Sequence, residues 1–156
     1  MQKITPFLWF DKEAEEAMNF YCSVFRNSKK GKVVHYGEVG PGNMGNVLTA
    51  SFELEGLEFT ALNAGPQFKF TEAVSMYVNC ETQEEVDHYW EKLAAGGSIQ
   101  QCGWLKDKFG LSWQIIPSAL PRLMSDPDRD KANRVMQAML QMKKIDVAAL
   151  DRAAKG

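Results

Sequence analysis

The chain has 156 residues, of which 45% are hydrophobic and 24% charged, and its formal net charge is −2. These values are typical of a soluble globular protein with one domain or two small modules. They give no electrostatic reason to expect nucleic acid or an anionic membrane surface as a partner. No apolar run approaches the roughly 20 residues that cross a membrane, and the N-terminus lacks a signal-peptide pattern. Three cysteines at unrelated spacings favour reduced thiols, so we expect a cytoplasmic protein.

The first half of the chain predicts a strand, a helix and three further strands. The helix begins at a cap provided by Asp11 and continues to about Phe25, with apolar residues at three- and four-residue spacing. The last two strands alternate apolar and polar residues around a turn at Glu55-Gly56, which is typical of a hairpin with one buried face. The predicted strands are 3–10, about 32–38, 47–54 and 57–63.

The same order of elements recurs in the second half. Thr82 and Glu85 have the spacing of a capping box, and the helix that follows ends at Gly96-Gly97. A hairpin over 104–117 turns at 107–110, where glycine supplies the positive φ of a tight turn. Pro117 ends its second strand, because proline cannot donate to the ladder. The predicted strands are 74–80, 98–102, 104–106 and 111–116.

Beyond Pro117 the pattern becomes helical. It predicts a helical turn over 118–124, a helix that starts near Ser125 and a short helix from Asp146. The longer helix is rich in methionine, which is common on adaptable contact surfaces, so it either forms a partner or subunit interface or packs on its own domain. The predicted organisation is a pair of modules over 1–120 (about 1–68 and 69–120) and a helical extension over 121–156.

Five stretches of sequence carry a resemblance to a known group of proteins. They are 7–11 (FLWFD), 15–21 (EEAMNFY), 61–66 (ALNAGP), 78–82 (VNCET) and 103–115 (GWLKDKFGLSWQI). Together they resemble the PhnB-like branch of the vicinal oxygen chelate superfamily, which contains glyoxalases, extradiol dioxygenases and bleomycin- and fosfomycin-resistance proteins. Members of the branch are often labelled demethylubiquinone methyltransferases. The resemblance implies an α+β fold of two βαβββ modules that form a barrel-like cavity, usually in a homodimer.

Metal-dependent members of this superfamily hold a divalent ion with His or Glu from the first and last strands of each module. In this chain the position usually held by Glu falls on Gln114, and the other candidates are Asn63, Ser75, Tyr77 and residues of the first strand such as Trp9. Neutral oxygen donors lack the charge and the imidazole that hold a transition metal. We therefore expect no metal and no other cofactor, with a bound divalent metal as the alternative.

A mostly apolar cavity with a few amides is the usual form of a small-molecule site. The amides of Asn63 and Gln114 could bind a ligand in such a cavity. The alternative is a structural role, in which they form hydrogen bonds with buried backbone groups. Cys80 precedes a helix and is the best thiolate candidate, with a buried structural cysteine as the alternative; no catalytic residue can be named. The predicted ligand-binding residues are Trp9, Asn63, Gln67, Tyr77, Trp104 and Gln114.

The sequence thus predicts a metal-independent protein that binds a small molecule and has neither nucleic acid nor a membrane as a partner. One alternative is an enzyme, either of the glyoxalase or dioxygenase kind or the methyltransferase of the label. A methyltransferase would normally show a glycine-rich turn after the first strand of a nucleotide-binding fold, and the sequence has none there. Another alternative is an interaction module whose methionine-rich helix contacts a partner.

Overall fold

The computed structural model describes residues 2–156, and the chain divides into two compact units, one up to Phe70 and the other from Thr71. Each unit contains a four-stranded sheet with a helix packed on one face. Both units follow the order strand, helix, three strands. The predicted α+β fold of two βαβββ modules is therefore confirmed, and the helical extension packs within the second unit.

The first unit consists of β1 (Phe7–Phe10), α1 (Ala14–Val24), β2 (Ser28–His35), β3 (Val47–Leu54) and β4 (Leu57–Asn63). Its strands lie in the order β1-β4-β3-β2, with β1 parallel to β4 and the other neighbours antiparallel. The buried stripe of α1 includes Tyr21, which contacts the Phe52 ring. The core of this unit lies between α1 and one face of the sheet. We call the face opposite the helix the open face, here and in the second unit.

The second unit consists of β5 (Ser75–Cys80), α2 (Gln83–Ala94), β6 (Ser98–Ile99), β7 (Trp104–Lys106), β8 (Ser112–Pro117), α3 (Ala119–Met124), α4 (Arg129–Leu140) and α5 (Val147–Lys155). The strand order β5-β8-β7-β6 repeats that of the first unit. Helix α2 packs against β7 and β8 through Val86, Trp90 and Leu93. Helices α3 to α5 enclose a second apolar cluster, whose members are Ile116, Leu120, Leu123, Val135, Ile145, Leu150 and Ala154.

Helix α1 begins later than the sequence predicts. Asp11 does not cap it: the helix starts at Ala14, and its N-cap residue, Glu13, makes no side-chain capping bond. The Asp11 carbonyl instead accepts a hydrogen bond from the amide of Gly65, at 3.3 Å. This bond links the chain after β1 to the loop after β4, and residues 11 and 12 form a bend before the helix starts three residues after Asp11.

Several strands also differ in length from their predictions. Strand β2 begins at Ser28 and ends at His35, and its register shifts between Lys30 and Val33. The shift is a bulge, where a Cβ on Gly31 would lie 2.8 Å from the Ser51 carbonyl oxygen, so glycine is needed at that position. Strands β1 and β6 have only four and two residues, shorter than predicted. Strands β3 and β4 match their predicted bounds.

A buried carboxylate holds the turn between β7 and β8. Asp107 is 2% exposed. Its Oδ1 accepts hydrogen bonds from the amides of Phe109 and Leu111, and its Oδ2 accepts one from Trp113 Nε1 at 2.9 Å. Gly110 has the expected positive φ of 88°. Because Trp113 lies next to Gln114, Asp107 fixes the hairpin that presents the candidate site.

Within the described residues, each helix is too short or too polar to serve as a membrane span.

Candidate ligand-binding site

The last strand of the second sheet divides its side chains between two faces. Trp113 and Ile115 are buried on the face toward α2. Gln114 lies between them in sequence, so its side chain points to the open face. The strand register pairs Gln114 with Tyr77 of β5 on one side and with Trp104 of β7 on the other. Three of the six predicted residues therefore form one row across the open face, which we call the Tyr77–Gln114–Trp104 row.

The amide of Gln114 is held at one end only. Its Nε2 donates a hydrogen bond of 2.8 Å to Ser75 Oγ, on the same face of the sheet. Its Oε1 accepts no hydrogen bond from any residue that the structure describes. The side chain is half-buried, and the neighbouring Tyr77 is 48% exposed. This arrangement orients the amide while leaving its oxygen available to a ligand that donates a hydrogen bond.

A row of polar side chains lies next to the Tyr77–Gln114–Trp104 row on the open face. It pairs Ser75, Ser112 and Lys106 across the same three strands. Ser112 Oγ is buried and has no hydrogen-bond partner among the described residues. Lys106 forms an ion pair with Glu72 and thereby lowers the pKa of that carboxyl. The Tyr77–Gln114–Trp104 row is thus bordered by two hydroxyl groups and an ion pair.

Burial raises the pKa of two groups on β5. It raises the pKa of Tyr77, and the nearby Cys80 adds to the shift. The phenol is neutral at physiological pH, as a tyrosine ordinarily is, and can donate a hydrogen bond. Burial, followed by the charge of Glu85, raises the pKa of Cys80 to about 12. This thiol is fully buried and stays protonated, which favours the structural interpretation of Cys80 over the thiolate hypothesis.

In the first unit, Trp9 lies on the open face of the sheet. Its neighbours in sequence, Leu8 and Phe10, are buried toward α1, so the alternation of the strand places Trp9 on the opposite side. Trp9 Nε1 donates a hydrogen bond of 2.9 Å to the Gly65 carbonyl. The Phe68 ring packs edge-on against it, with ring centroids 4.8 Å apart. Trp9 is thereby fixed beside the loop that follows β4.

Asn63 holds backbone groups together in the same unit. Its Oδ1 accepts a hydrogen bond of 2.8 Å from the amide of Ala14, the first residue of α1. Its Nδ2 donates to the Val47 carbonyl at 3.1 Å. The carbonyl of Asn63 accepts a further bond from the Tyr36 hydroxyl. These contacts match the structural alternative for this amide, in which it satisfies backbone groups.

Asn63 and Gln67 also line a cavity of about 700 Å³ at the start of α1. Carboxylates of Glu15 and Glu16 border it on the helix. The loop after β2 adds Asn43 and Asn46 to the lining of this cavity. The sequence did not single them out, because no local pattern links that loop to α1. Ser112, by contrast, could have been found from its position two residues before Gln114, since alternate residues of a strand share a face.

The donors on the open face of the second sheet do not fit a transition metal. They are an amide, a phenol and two hydroxyls, contributed by Gln114, Tyr77, Ser75 and Ser112. Transition metals in proteins select imidazole, thiolate and carboxylate ligands. In the part of the chain that the structure describes, no three His, Cys, Asp or Glu side chains are grouped so that they could hold an ion. The divalent ion that metal-dependent relatives bind therefore has no matching ligand set at these positions.

Residues 2–116 match the model of the 3-demethylubiquinone-9 3-methyltransferase family. A search of curated proteins finds no match. Among solved structures, a putative 3-demethylubiquinone-9 3-methyltransferase, PhnB protein, from Bacillus cereus is 45% identical over 75% of this chain and 100% of that chain, with a TM-score of 0.69.

More distant solved structures show the fold alone. A protein from Pseudomonas aeruginosa is 20% identical over 75% of this chain and 98% of that chain, with a TM-score of 0.63. The fosfomycin resistance protein FosX from Listeria monocytogenes, complexed with Mn(II) and sulfate, is 17% identical over 72% and 90% of the two chains, with a TM-score of 0.51. With its family model, its Bacillus relative and its paired βαβββ modules, the chain belongs to the PhnB-like 3-demethylubiquinone-9 3-methyltransferase family.

Proposed function

We propose that this protein binds a small aromatic molecule, without a metal, on the open face of its second sheet. The observation that supports this most is the Tyr77–Gln114–Trp104 row, which places an amide between two aromatic side chains. A flat ring can stack on either aromatic side chain, and each such contact is worth about 1 kcal/mol beyond its buried area. The amide then fixes the orientation of the ring.

The hydrogen-bonding groups of the row indicate the class of ligand. The phenol of Tyr77 is a neutral donor at physiological pH, as a tyrosine hydroxyl ordinarily is, and Gln114 Oε1 is available as an acceptor. Together they suit a ring with both a carbonyl and a hydroxyl group, such as a hydroxylated quinone. The name of the family refers to 3-demethylubiquinone, which makes quinones and phenols the first compounds to test.

The first unit offers a separate set of proposed ligand contacts of its own. Trp9 offers an aromatic face beside Gly65, and Gln67 has an exposed amide at the rim of the cavity near α1. Asn63 lines the same cavity, but both ends of its side-chain amide are hydrogen-bonded to backbone groups. We therefore expect Trp9 and Gln67 to contribute more than Asn63 to ligand binding by the first unit.

Ligand binding can be measured by the quenching of tryptophan fluorescence during titration with quinones, phenols and aromatic antibiotics. We expect Gln114→Ala to weaken the affinity about fivefold to tenfold, since one hydrogen bond is worth about 1 kcal/mol. Trp104→Phe should remove most of the quenching, whereas Trp90→Phe, on α2, should not. Gln137→Ala, at an exposed position of α4, is the matched amide control.

Two results would contradict the proposal. One is the absence of saturable quenching by any aromatic compound. The other is an unchanged affinity in Gln114→Ala. A chelator should leave the affinity unchanged if no metal takes part.

The enzymatic alternative is methyl transfer to a bound demethylated quinone, as the name of the family states. It requires a site for a methyl donor next to the Tyr77–Gln114–Trp104 row. Incubation with the quinone and a methyl donor, followed by mass spectrometry of the quinone, distinguishes the two. A gain of one methyl group that Gln114→Ala slows would favour the enzyme, and an unchanged quinone would favour the binding protein.

We further propose that the protein is a homodimer in a reducing compartment such as the cytoplasm. The three cysteines are free. Large apolar side chains remain exposed in the single chain: Phe7 is 60% exposed and Phe68 is 64% exposed. Sedimentation at micromolar concentration tests this, and a purely monomeric species would contradict it.

A further inference from the structure

The helical extension contacts the chain directly before Trp104. Trp104 is the first residue of β7, and the two residues that precede it both have left-handed backbone conformations. Cys102 has φ of 59° and Gly103 has φ of 83°. A cysteine rarely adopts this region without support from its surroundings. The path of the backbone into Trp104 therefore depends on what holds these two residues.

That support comes from the segment between α4 and α5. The amide of Cys102 donates to the Met142 carbonyl, and the amide of Gly103 donates to the Lys143 carbonyl, both at 2.8 Å. On its other side, the Gly103 carbonyl accepts a bond of 2.8 Å from the amide of Ile115. Gly103, one residue before Trp104, is thus bonded both to β8, the strand that bears Gln114, and to the extension.

Side chains also pack closely around Gly103. A Cβ on Gly103 would lie 2.8 Å from Ile116 Cδ1 and 3.1 Å from Ile145 Cγ1. Ile145 is fully buried. Ile116 lies two residues beyond Gln114 on β8, so it occupies the same face of the sheet as the Tyr77–Gln114–Trp104 row. The apolar cluster of the extension therefore begins directly beside that row.

Helix α2 also bonds to the segment between α4 and α5. Gln83 Oε1 accepts a hydrogen bond of 2.8 Å from the amide of Val147, and its Nε2 donates to the Ile145 carbonyl at 3.1 Å. Lys144 forms an ion pair with Asp87 at 2.9 Å. We call residues 142–147 the clasp segment, because it is bonded both to α2 and to the residues before Trp104.

We propose that the clasp segment positions Trp104 for ligand binding, with Gln83 as the positioning residue. The proposal rests on the proposed function, since the ligand is the aromatic molecule of the open face. It assigns the extension to the binding site, although the match to the family model ends at residue 116. Loss of the Gln83 bonds leaves the clasp segment attached to α2 only through the ion pair of Lys144 with Asp87, loosens its hold on Gly103 and changes the orientation of the Trp104 ring.

Fluorine NMR of protein labelled with fluorotryptophan tests this directly. The four tryptophans should give four resonances, and Trp104→Phe identifies that of Trp104. The test variant is Gln83→Met, which keeps a side chain of similar length and removes both bonds to the clasp segment, together with the bond from Gln83 Nε2 to Asp87 Oδ1 on α2. The matched control is Arg134→Met, which also removes two bonds to the extension, those to the carbonyls of Ala153 and Ala154 at the end of α5.

We expect Gln83→Met to shift or broaden the Trp104 resonance and to weaken binding of the best quinone or phenol about threefold to tenfold. Arg134→Met should lower the melting temperature without either effect. The proposal is overturned if Gln83→Met folds and leaves the Trp104 resonance in place, or if both variants move it equally. If no aromatic compound binds the unmodified protein, the proposed function fails, and the resonance comparison still decides whether the clasp segment positions Trp104.

Val147→Pro serves as a second variant if Gln83→Met does not fold. It removes only the amide that donates to Gln83. Proline is favoured at the first residue of a helix, and Asp146 has the extended conformation (φ −109°, ψ 106°) that suits a residue before proline. The same shift of the Trp104 resonance is expected, and its absence overturns the proposal.

Discussion

The two units share one topology but use their amides in opposite ways. Asn63 ends the fourth strand of the first unit, and both ends of its amide bond to backbone groups of the first unit. Gln114 lies on the fourth strand of the second unit, points to the open face and bonds only to the hydroxyl of Ser75. The same functional group therefore supports the fold in one unit and is available for a ligand in the other. The difference follows from which face of the sheet each position occupies.

The two helices show a related contrast. Thr82 caps α2 by accepting a hydrogen bond from the amide of Glu85 at 3.2 Å, as its sequence predicts. Helix α1 has no such cap, and the amide of Ala14 bonds instead to Asn63, 49 residues away. One helix start is thus specified locally and the other by a tertiary contact.

The largest expected effect concerns the two hairpin turns. The turn between β7 and β8 is built on the buried Asp107, whereas Glu55, in the turn between β3 and β4, is exposed. Asp107→Ala should lower the free energy of unfolding by about 3 kcal/mol, because two backbone amides and an indole lose their acceptor. Glu55→Ala should change it by less than about 0.5 kcal/mol. Urea unfolding measures both values, and similar losses for the two variants would show that the turns are held alike.

The two amides should give opposite results. Asn63→Ala should lower the free energy of unfolding by about 2 kcal/mol, since it leaves an amide and a carbonyl without partners, and should change ligand affinity little. Gln114→Ala should lower the free energy of unfolding by less than about 1 kcal/mol, while weakening the ligand. Urea unfolding and fluorescence titration of both variants test the contrast. It fails if Gln114→Ala proves the more destabilised of the two.

The helix starts should differ by a smaller amount. Thr82→Ala removes a capping bond and should cost about 1 kcal/mol. Glu13→Ala, at the corresponding position of α1, removes no capping bond and should cost less than about 0.5 kcal/mol. Thermal unfolding of the two single variants provides the comparison. Equal costs would mean that α1 depends on its own cap as much as α2 does.

The smallest expected change in stability concerns the ion pair between Lys144 and Asp87 in the second unit. Hydrogen bonds from Lys144, and then from Gln83, hold the pKa of Asp87 below its ordinary 3.8. The pair therefore stabilises the folded protein above that pH and is lost as the pH falls through the lowered pKa. Both side chains are more than two-fifths exposed, so screening limits the contribution to about 0.5 kcal/mol.

Lys144→Met should accordingly be about 0.5 kcal/mol less stable than the unmodified protein at pH 7 and equally stable at an acidic pH below the lowered pKa of Asp87. Urea unfolding at both pH values measures the difference. A difference that persists at the lower pH would assign the effect to the aliphatic part of the lysine rather than to its charge.

Local patterns predicted the parts of the fold that depend on neighbours in sequence. Strands β3 and β4 match their predicted bounds because alternation and the Glu55-Gly56 turn specify both. The cap at Thr82 and the start of α5 near Asp146 were predicted for the same reason. The bulge at Gly31 and the late start of α1 were missed, because each depends on contacts with a distant strand or loop.

The sequence by itself determined the two modules, the order of their elements and the alternation that separates Gln114 from Trp113. Only the tertiary structure decided that Tyr77, Gln114 and Trp104 form one row, because the register between strands depends on pairings across 10 and 37 positions of the chain. It also decided that Asn63 supports α1 and that the clasp segment reaches Gly103. Periodicity is a property of neighbouring residues, whereas the partner of a hydrogen-bonding group is chosen when distant segments pack.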